Sequence, residues 1–233
     1  METILFIDAD SALGRVLCDE LSNAGYRVIA HVRSEPRTSF APGVTVASRP
    51  RAADALAAWN ETLGPINHVV FGQPDYSDVL DADADFERFT ASIEERLNMF
   101  LEELQAAGAL LARNSGGGQI WALTPEDSMQ YYVGCPSVPI DTRARQAAVK
   151  SFAKELFRFG VRINCANVQL LEEQVSPDEW RRARDGLKTY AMRFKPNKTA
   201  AVARLLRQFL TQRDLPLAGM IVPIGIGFAE NNI

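Results

Sequence analysis

The stretch ETILFIDADSALGRVLCDELSNAGYRVIA (residues 2–30) decides the fold. ETILFID (2–8) reads as a buried strand, and GRVLCDELSNAGYRVIA (14–30) reads as a helix, a glycine stop and a second strand. Strand–helix–strand units of this layout usually carry a glycine-rich first turn that lets the backbone approach a phosphate. Here the turn is Asp8-Ala9-Asp10-Ser11-Ala12-Leu13-Gly14, with one glycine and with an aspartate where the phosphate would lie. The layout of a nucleotide-binding fold is present, but its phosphate turn is not.

The same alternation runs along the chain. Strands are predicted at 2–8, 26–32, 43–47, 66–71, 118–123, 161–167 and 219–224, and helices at 12–24, 51–63, 84–113, 142–159 and 197–212. Strands separated by helices imply a parallel sheet covered on both faces, connected by right-handed crossovers. The expected fold class is therefore α/β, a single doubly wound Rossmann-like domain over 1–233 with a seven-stranded parallel sheet. Gly116-Gly117-Gly118 reads as a turn before a strand. Residues 170–196, charged and carrying Trp180, Tyr190, Met192 and Phe194, read as an inserted helical flap.

Composition narrows the function classes. The 233 residues are 47% hydrophobic and 23% charged, enough for one sizeable core. The net charge of −4 leaves no basic footprint for nucleic acid. No apolar run approaches the roughly 20 residues needed to cross a bilayer. Cys18, Cys135 and Cys165 are widely spaced, which argues against a metal site or disulfide framework and for a reducing compartment. The first strand starts at residue 2 or 3 and leaves no room for a signal peptide, so the expected location is cytoplasmic.

Several segments resemble the short-chain dehydrogenase/reductase family, in the family's order along nearly the whole chain. RQAAVKSFAKELFRFGVRINCANV (145–168) is similar to its long central helix and the following V-R-V-N strand. RFKPNKTAAVARLLRQFL (193–210) is similar to its late proline-plus-helix segment, PLAGMIVPIGIG (216–227) to its last strand, and GRVLCDELSNAGYRVIAHVR (14–33) to its first helix and second strand.

The family's chemistry does not follow. Its active centre is a Tyr-x-x-x-Lys pair in which the lysine lowers the phenol's pKa for proton exchange with substrate. The resemblance puts Thr142 at the tyrosine, Gln146 at the lysine and Pro125 at the assisting serine, with Thr124 adjacent. No shifted pair replaces them: Tyr131 and Tyr132 are followed four residues later by Cys135 and Pro136, and Lys150 lies one turn past Gln146, which is no tyrosine. The two tyrosines read as a surface loop pair. The cofactor motif T-G-x-x-x-G-x-G falls on Ile7, Asp8, Ala12 and Gly14. The N-N-A-G turn becomes FGQP (71–74), and the proline-glycine after the sixth strand becomes Val168-Gln169. Arg33 stands where some relatives grip the 2′-phosphate of NADP, although an arginine ending a strand is ordinarily solvated. The resemblance thus implies a kept scaffold with no catalytic residues and no cofactor. No metal is expected either.

Other readings compete. TILFIDAD also resembles the start of a receiver domain, whose acidic pair holds Mg²⁺. GVTVASRP (43–50) lacks the phosphorylatable aspartate and Thr124-Pro125-Glu126 lacks the lysine, so Asp8 and Asp10 read better as turn and cap residues. An active NAD(P)-dependent oxidoreductase with displaced residues, and a metabolite or nucleotide sensor, are the alternatives on the same fold.

The family assembles through helices equivalent to 84–113 and 142–159 and through its last strand and tail, here 225–233. Both helices carry surplus apolar residues, and Phe100, Leu104, Phe152, Leu156 and Phe159 are the expected interface. Some family members are non-catalytic subunits of an active short-chain dehydrogenase, as in the β-hydroxyacyl-CoA-oxidising alcohol dehydrogenase of anaerobic benzylsuccinate (toluene) degradation. The resemblance implies such a partner here, in a dimeric or tetrameric hetero-oligomer.

Overall fold

The computed structural model describes residues 1–36, 39–74, 86–126, 138–178, 180–181, 196–212 and 215–225, apart from the side chains of Phe86 and Arg88. Its elements are β1 (Thr3–Ile7), α1 (Ala12–Asn23), β2 (Arg27–Val32), β3 (Val44–Ser48), α2 (Leu56–Thr62), β4 (Ile66–Phe71), α3 (Phe86–Leu111), β5 (Gly118–Pro125), α4 (Val138–Leu156) with a 3₁₀ turn (Phe157–Phe159), β6 (Val161–Val168), α5 (Thr199–Thr211) and β7 (Ile221–Ile224). The strands form one seven-stranded sheet in the order β3-β2-β1-β4-β5-β6-β7, every pair parallel. This is the doubly wound α/β fold that the alternation predicts. The strand order reverses between β1 and β4, and in such sheets ligands bind outside the carboxyl ends of the strands at that switch point.

Strand side chains alternate between two cores. Leu5 and Ile7 of β1 face α2, α3 and α4 with Trp59, Phe100, Leu104 and Val149, whereas Ile4 and Phe6 face α1 and α5 with Leu13, Leu17 and Leu206. Both faces of β1 are fully buried, which is why it reads as a continuous apolar run rather than an alternating one.

Two boundaries shift for local reasons. Helix α2 starts at Leu56, not near 51, because the Ala52 amide donates to Glu103 Oε1 at 2.9 Å instead of entering a helix. Helix α4 starts at Val138, a turn earlier than predicted, since Pro139 is tolerated in a first helical turn where its missing N–H has no partner anyway. Of the predicted flap, Leu170 and Leu171 are buried, and a bridge between Leu171 and Asn197 brings its two ends together. Tyr190, Met192 and Phe194 lie outside the described residues, as do Tyr131, Tyr132, Cys135, Pro136 and the tail beyond 225. No helix among the described residues is long and apolar enough to cross a membrane.

Candidate functional site

The first turn closes on itself. Asp8 has a left-handed backbone, φ 59°. That conformation suits glycine, and aspartate is one of the few other residues that tolerate it. Asp8 thus keeps the backbone of a glycine while adding a carboxylate. Gly72, just past β4, donates its amide to Ile7 O at 2.7 Å, and a Cβ there would stand 2.2 Å from Asp8 O. Ser11 caps α1 by accepting the Gly14 amide at 2.9 Å, and a Cβ on Gly14 would meet Ala9 O at 2.5 Å. Asp10 pairs with Arg15 at 2.9 Å.

Arg33, just beyond β2, reaches back across this turn. Its Nη2 donates to Asp8 Oδ2 at 2.7 Å and to Glu103 Oε2 at 3.0 Å, and its Nη1 donates to Glu103 Oε1 and Pro50 O, each at 3.0 Å. Glu103, on α3, is 1% exposed and also accepts the Ala52 amide. Burial works against the charge on Arg33, but the hydrogen bonds and charges of Glu103 and Asp8 outweigh it and hold the guanidinium more firmly protonated than usual. Beside it, His31 is fully buried. Its Nε2–H donates to Arg49 O at 2.8 Å, its ring leans on Trp59, and burial pushes its pKa down.

These residues do not fit a dinucleotide. A pyrophosphate needs free amide donors at the helix N-terminus and room for close backbone approach. Ser11 has taken the Gly14 amide, and the Asp8 carboxylate stands over the turn. The cation that could grip a ribose phosphate, Arg33, is engaged on three sides within the chain. Further along, the post-β4 and post-β6 segments are joined directly. Leu171 N donates to Gln174 Oε1 at 2.9 Å, and Gln174 Nε2 donates to Gln73 Oε1 at 3.2 Å.

At the carboxyl ends of β5 and β6 the positions expected to be degenerate do come together. Thr142 on α4 is fully buried and donates to Pro125 O at 3.1 Å. Thr124 donates to Asn167 Oδ1 at 3.0 Å and lies 3.2 Å from Cys165 Sγ. Gln146, one turn past Thr142, is 3% exposed; its Oε1 faces Arg143 Nη1 at 3.5 Å and its Nε2 has no partner among the described residues. The buried ion pair beside them, Asp141–Arg145 at 2.8 Å, props the guanidinium over the Phe100 ring. A threonine and a glutamine so placed can hold groups by hydrogen bonds, but neither exchanges protons near neutral pH.

A cleft of about 550 Å³ opens at the amino ends of the central strands, lined among others by Glu2, His68, Gly116, Gly117 and Arg162. His68 Nδ1 accepts the Gln119 amide at 3.2 Å, so its proton sits on Nε2, 3.3 Å from Glu2. Both ring nitrogens of His68 are engaged. Among the described residues no three His, Cys, Asp or Glu side chains stand together to hold a metal.

The expected interface is corrected in part. Phe100 and Leu104 are 2% and 0% exposed and face the sheet from α3, because that face covers β4 and β5; they cannot meet a partner. Phe152 and Leu156 are half-buried against the same core. Phe159 is 46% exposed, and Phe157, which the helical pattern did not single out, is 60% exposed. Both sit in the 3₁₀ turn after α4, where the α-helical period that marks a buried face no longer applies.

No family model matches the chain, and no curated protein does. Solved structures match its fold closely. One is the short chain oxidoreductase from Pseudomonas aeruginosa PAO1 described as containing an atypical catalytic center, 18% identical, TM-score 0.76, covering 98% of this chain and 97% of that one. Another is a short chain dehydrogenase from Leptospira borgpetersenii with bound NAD+, 13% identical, TM-score 0.81, covering 97% and 92%. A third is a short-chain type dehydrogenase/reductase from Mycobacterium ulcerans, 17% identical, TM-score 0.76, covering 96% and 88%. The chain therefore has the fold of the short-chain dehydrogenase/reductase structures over nearly its full length.

Proposed function

We propose that this chain is a short-chain dehydrogenase-like protein without dinucleotide chemistry, acting as a non-catalytic subunit that assembles with and stabilises a catalytically intact relative. The observation that carries the reading is the Asp8–Arg33–Glu103 network, which fills the switch-point crevice with the chain's own charges. Thr142 and Gln146 at the centre of the fold add a site that holds but does not convert. A scaffold kept without its chemistry needs another role. The exposed Phe157 and Phe159, continuous with half-buried Phe152 and Leu156, offer an apolar surface for a partner of the same fold, for which a two-fold contact needs only modest change on each side. The partner class is a dehydrogenase with an intact Tyr-x-x-x-Lys, with a β-hydroxyacyl-CoA dehydrogenase as the specific candidate. Binding to the folded partner stabilises it by mass action. Co-expression with a short-chain dehydrogenase that keeps an intact Tyr-x-x-x-Lys, followed by size-exclusion chromatography, tests this. Co-elution, with a partner that loses stability or activity when alone, is expected. Separate elution of two chains, the relative being stable and fully active alone, overturns it.

One observation favours a second reading, a reductase with a displaced centre: the Pseudomonas aeruginosa structure that shares the fold is itself described as having an atypical catalytic center. Steady NAD(P)H oxidation by the purified chain over a panel of ketones and β-ketoacyl thioesters would support that reading instead.

A further inference from the structure

We propose that the free edge of β3 pairs with the same edge of a second copy of this chain, antiparallel across a two-fold axis at Ala47, so that two sheets join into one. In a strand the N–H and C=O of one residue point to the same side, and successive residues alternate. The Arg49 amide donates to Val32 O at 2.9 Å, and β3 keeps an unbroken parallel register against β2. Thr45 and Ala47 therefore turn their backbone groups to β2 as well. Val44, Val46 and Ser48 turn theirs outward, where β3 ends the sheet. Among the described residues only the Val44 amide is met on that side, by Ala41 O at 3.2 Å. The amides and carbonyls of Val46 and Ser48 have no partner there.

Water can meet an open edge, so the pattern of groups, not their exposure, identifies the occupant. Edges left to solvent are ordinarily guarded by lysine, proline, a bulge or a covering element. The far edge follows that rule. Met220 O and Ile224 O accept from β6, which turns Pro223 of β7 outward and removes a donor from the free side. Strand β3, VTVAS, carries no charge, no proline and no bulge, and Val46 is 41% exposed. Its unmet groups also complement their own copy. With the axis at Ala47, Val46 stands opposite Ser48 of the second copy and Ser48 opposite Val46. Each such pair exchanges both N–H···O bonds, so all four groups are satisfied. Beyond them Val44, whose amide is taken, faces Pro50, which has no amide, and pairing stops at both ends alike. At the axis two alanines meet at the closest spacing of an antiparallel pair, about 4.5 Å between Cα atoms. Exposed Thr45 faces exposed Arg49 of the other copy, so no like charges oppose. In the sheet β2, β1, β4 and β5 separate β3 from β6, so this contact leaves Phe157 and Phe159, which precede β6, open to a different subunit. The inference does not rest on that subunit reading.

Sedimentation velocity of the purified full-length chain, over a hundredfold range of concentration, tests it. So short a pairing should give a concentration-dependent dimer rather than a permanent one. Val46→Pro removes an outward donor, which an edge strand tolerates, and should abolish the dimer, whereas Val46→Thr should keep it. Thr45→Arg sets like charges opposite Arg49 on both sides of the axis and should weaken the dimer; Thr45→Glu should tighten it, the two differing at least fivefold in dissociation constant at low salt. Hydrogen exchange of the unaltered chain gives a readout without substitution: protection of the Val46 and Ser48 amides should grow with concentration while that of Val44 stays constant. A monomer at every concentration, a dimer indifferent to Val46→Pro, or equal dimerisation by the two Thr45 variants would overturn the proposal. So would Val46 and Ser48 protection that ignores concentration, or that arises only when a different protein is added, which would give the edge to that protein. Every measurement uses the chain by itself, so a failed co-elution with a dehydrogenase leaves the result unchanged.

Discussion

Asp8, held in a left-handed conformation, stands 2.7 Å from Arg33, and Arg33 in turn makes a two-pronged contact with Glu103, seventy positions away in sequence. One guanidinium therefore ties the β1 turn, the end of β2 and the middle of α3 together.

Arg33→Met should destabilise the chain by about 3 kcal/mol, because it strands the Glu103 carboxylate at 1% exposure without its cation. Glu103→Gln should cost less, since it leaves Arg33, 31% exposed, able to reach water and Asp8. Urea denaturation of the two variants gives the comparison, and equal losses would show that the burial of Glu103 is not the governing factor.

Asp8→Gly trades two opposing effects. It removes a side chain from a left-handed position, where a non-glycine residue costs of order 1–3 kcal/mol. It also removes a partly exposed ion pair, worth up to about 1 kcal/mol. Stability should therefore stay level or rise, by up to about 3 kcal/mol. No NAD(H) or NADP(H) binding should appear in calorimetry, because Ser11 still occupies the Gly14 amide and Gln174 still bridges to Gln73.

Burial pushes the His31 pKa below its ordinary 6.5. The unfolded chain then binds a proton that the folded chain refuses, and stability rises with pH wherever the unfolded state holds more protons. The His31 contribution is complete above about pH 6.5 and is lost as pH falls from there towards the lowered folded-state value. Comparing unfolding free energies of wild type and His31→Asn at several pH values between 5 and 7.5 checks this. Wild type should show the steeper fall on acidification, and parallel curves would refute the assignment.

Thr142 and Gln146 share one helix face but should respond in opposite directions. Thr142→Val removes the hydrogen bond to Pro125 O and should cost about 1 kcal/mol. Gln146→Met removes a buried donor that has no partner among the described residues and should raise stability by about 1 kcal/mol. Thermal unfolding of both variants in one buffer decides it.

The strands were legible because a parallel sheet buried on both faces leaves long apolar runs: β1, β2 and β4 lie within a residue of their predicted ends. The loss of a phosphate turn was legible in Asp8 and Ala12, but what replaced it was not. The Arg33–Glu103 and Gln73–Gln174 contacts join residues 70 and 101 positions apart, and no local pattern of charge or amide spacing encodes such a meeting. Arg33 read alone resembles a solvated strand end. The apolar residues of α3 show the complementary limit: an apolar residue on a long helix announces burial but not against what, so Phe100 and Leu104 read as surface surplus while they fill the core.

That distinction gives the sharpest test of the subunit reading. Phe100→Ala and Phe157→Ser remove aromatic rings from elements on the same layer of the fold, one inward and one outward. Phe100→Ala should cost about 3–5 kcal/mol of folding stability, because it empties a filled core position against Phe71 and Arg145. Phe157→Ser combined with Phe159→Ser should leave folding stability within about 0.5 kcal/mol per site, as for most surface changes. The surface pair should nevertheless abolish co-elution with the dehydrogenase partner, since a few central aromatics dominate such contacts. Chromatography and thermal unfolding of the same preparations separate the two effects. Retained co-elution by the stable double variant would place the partner surface elsewhere on the chain.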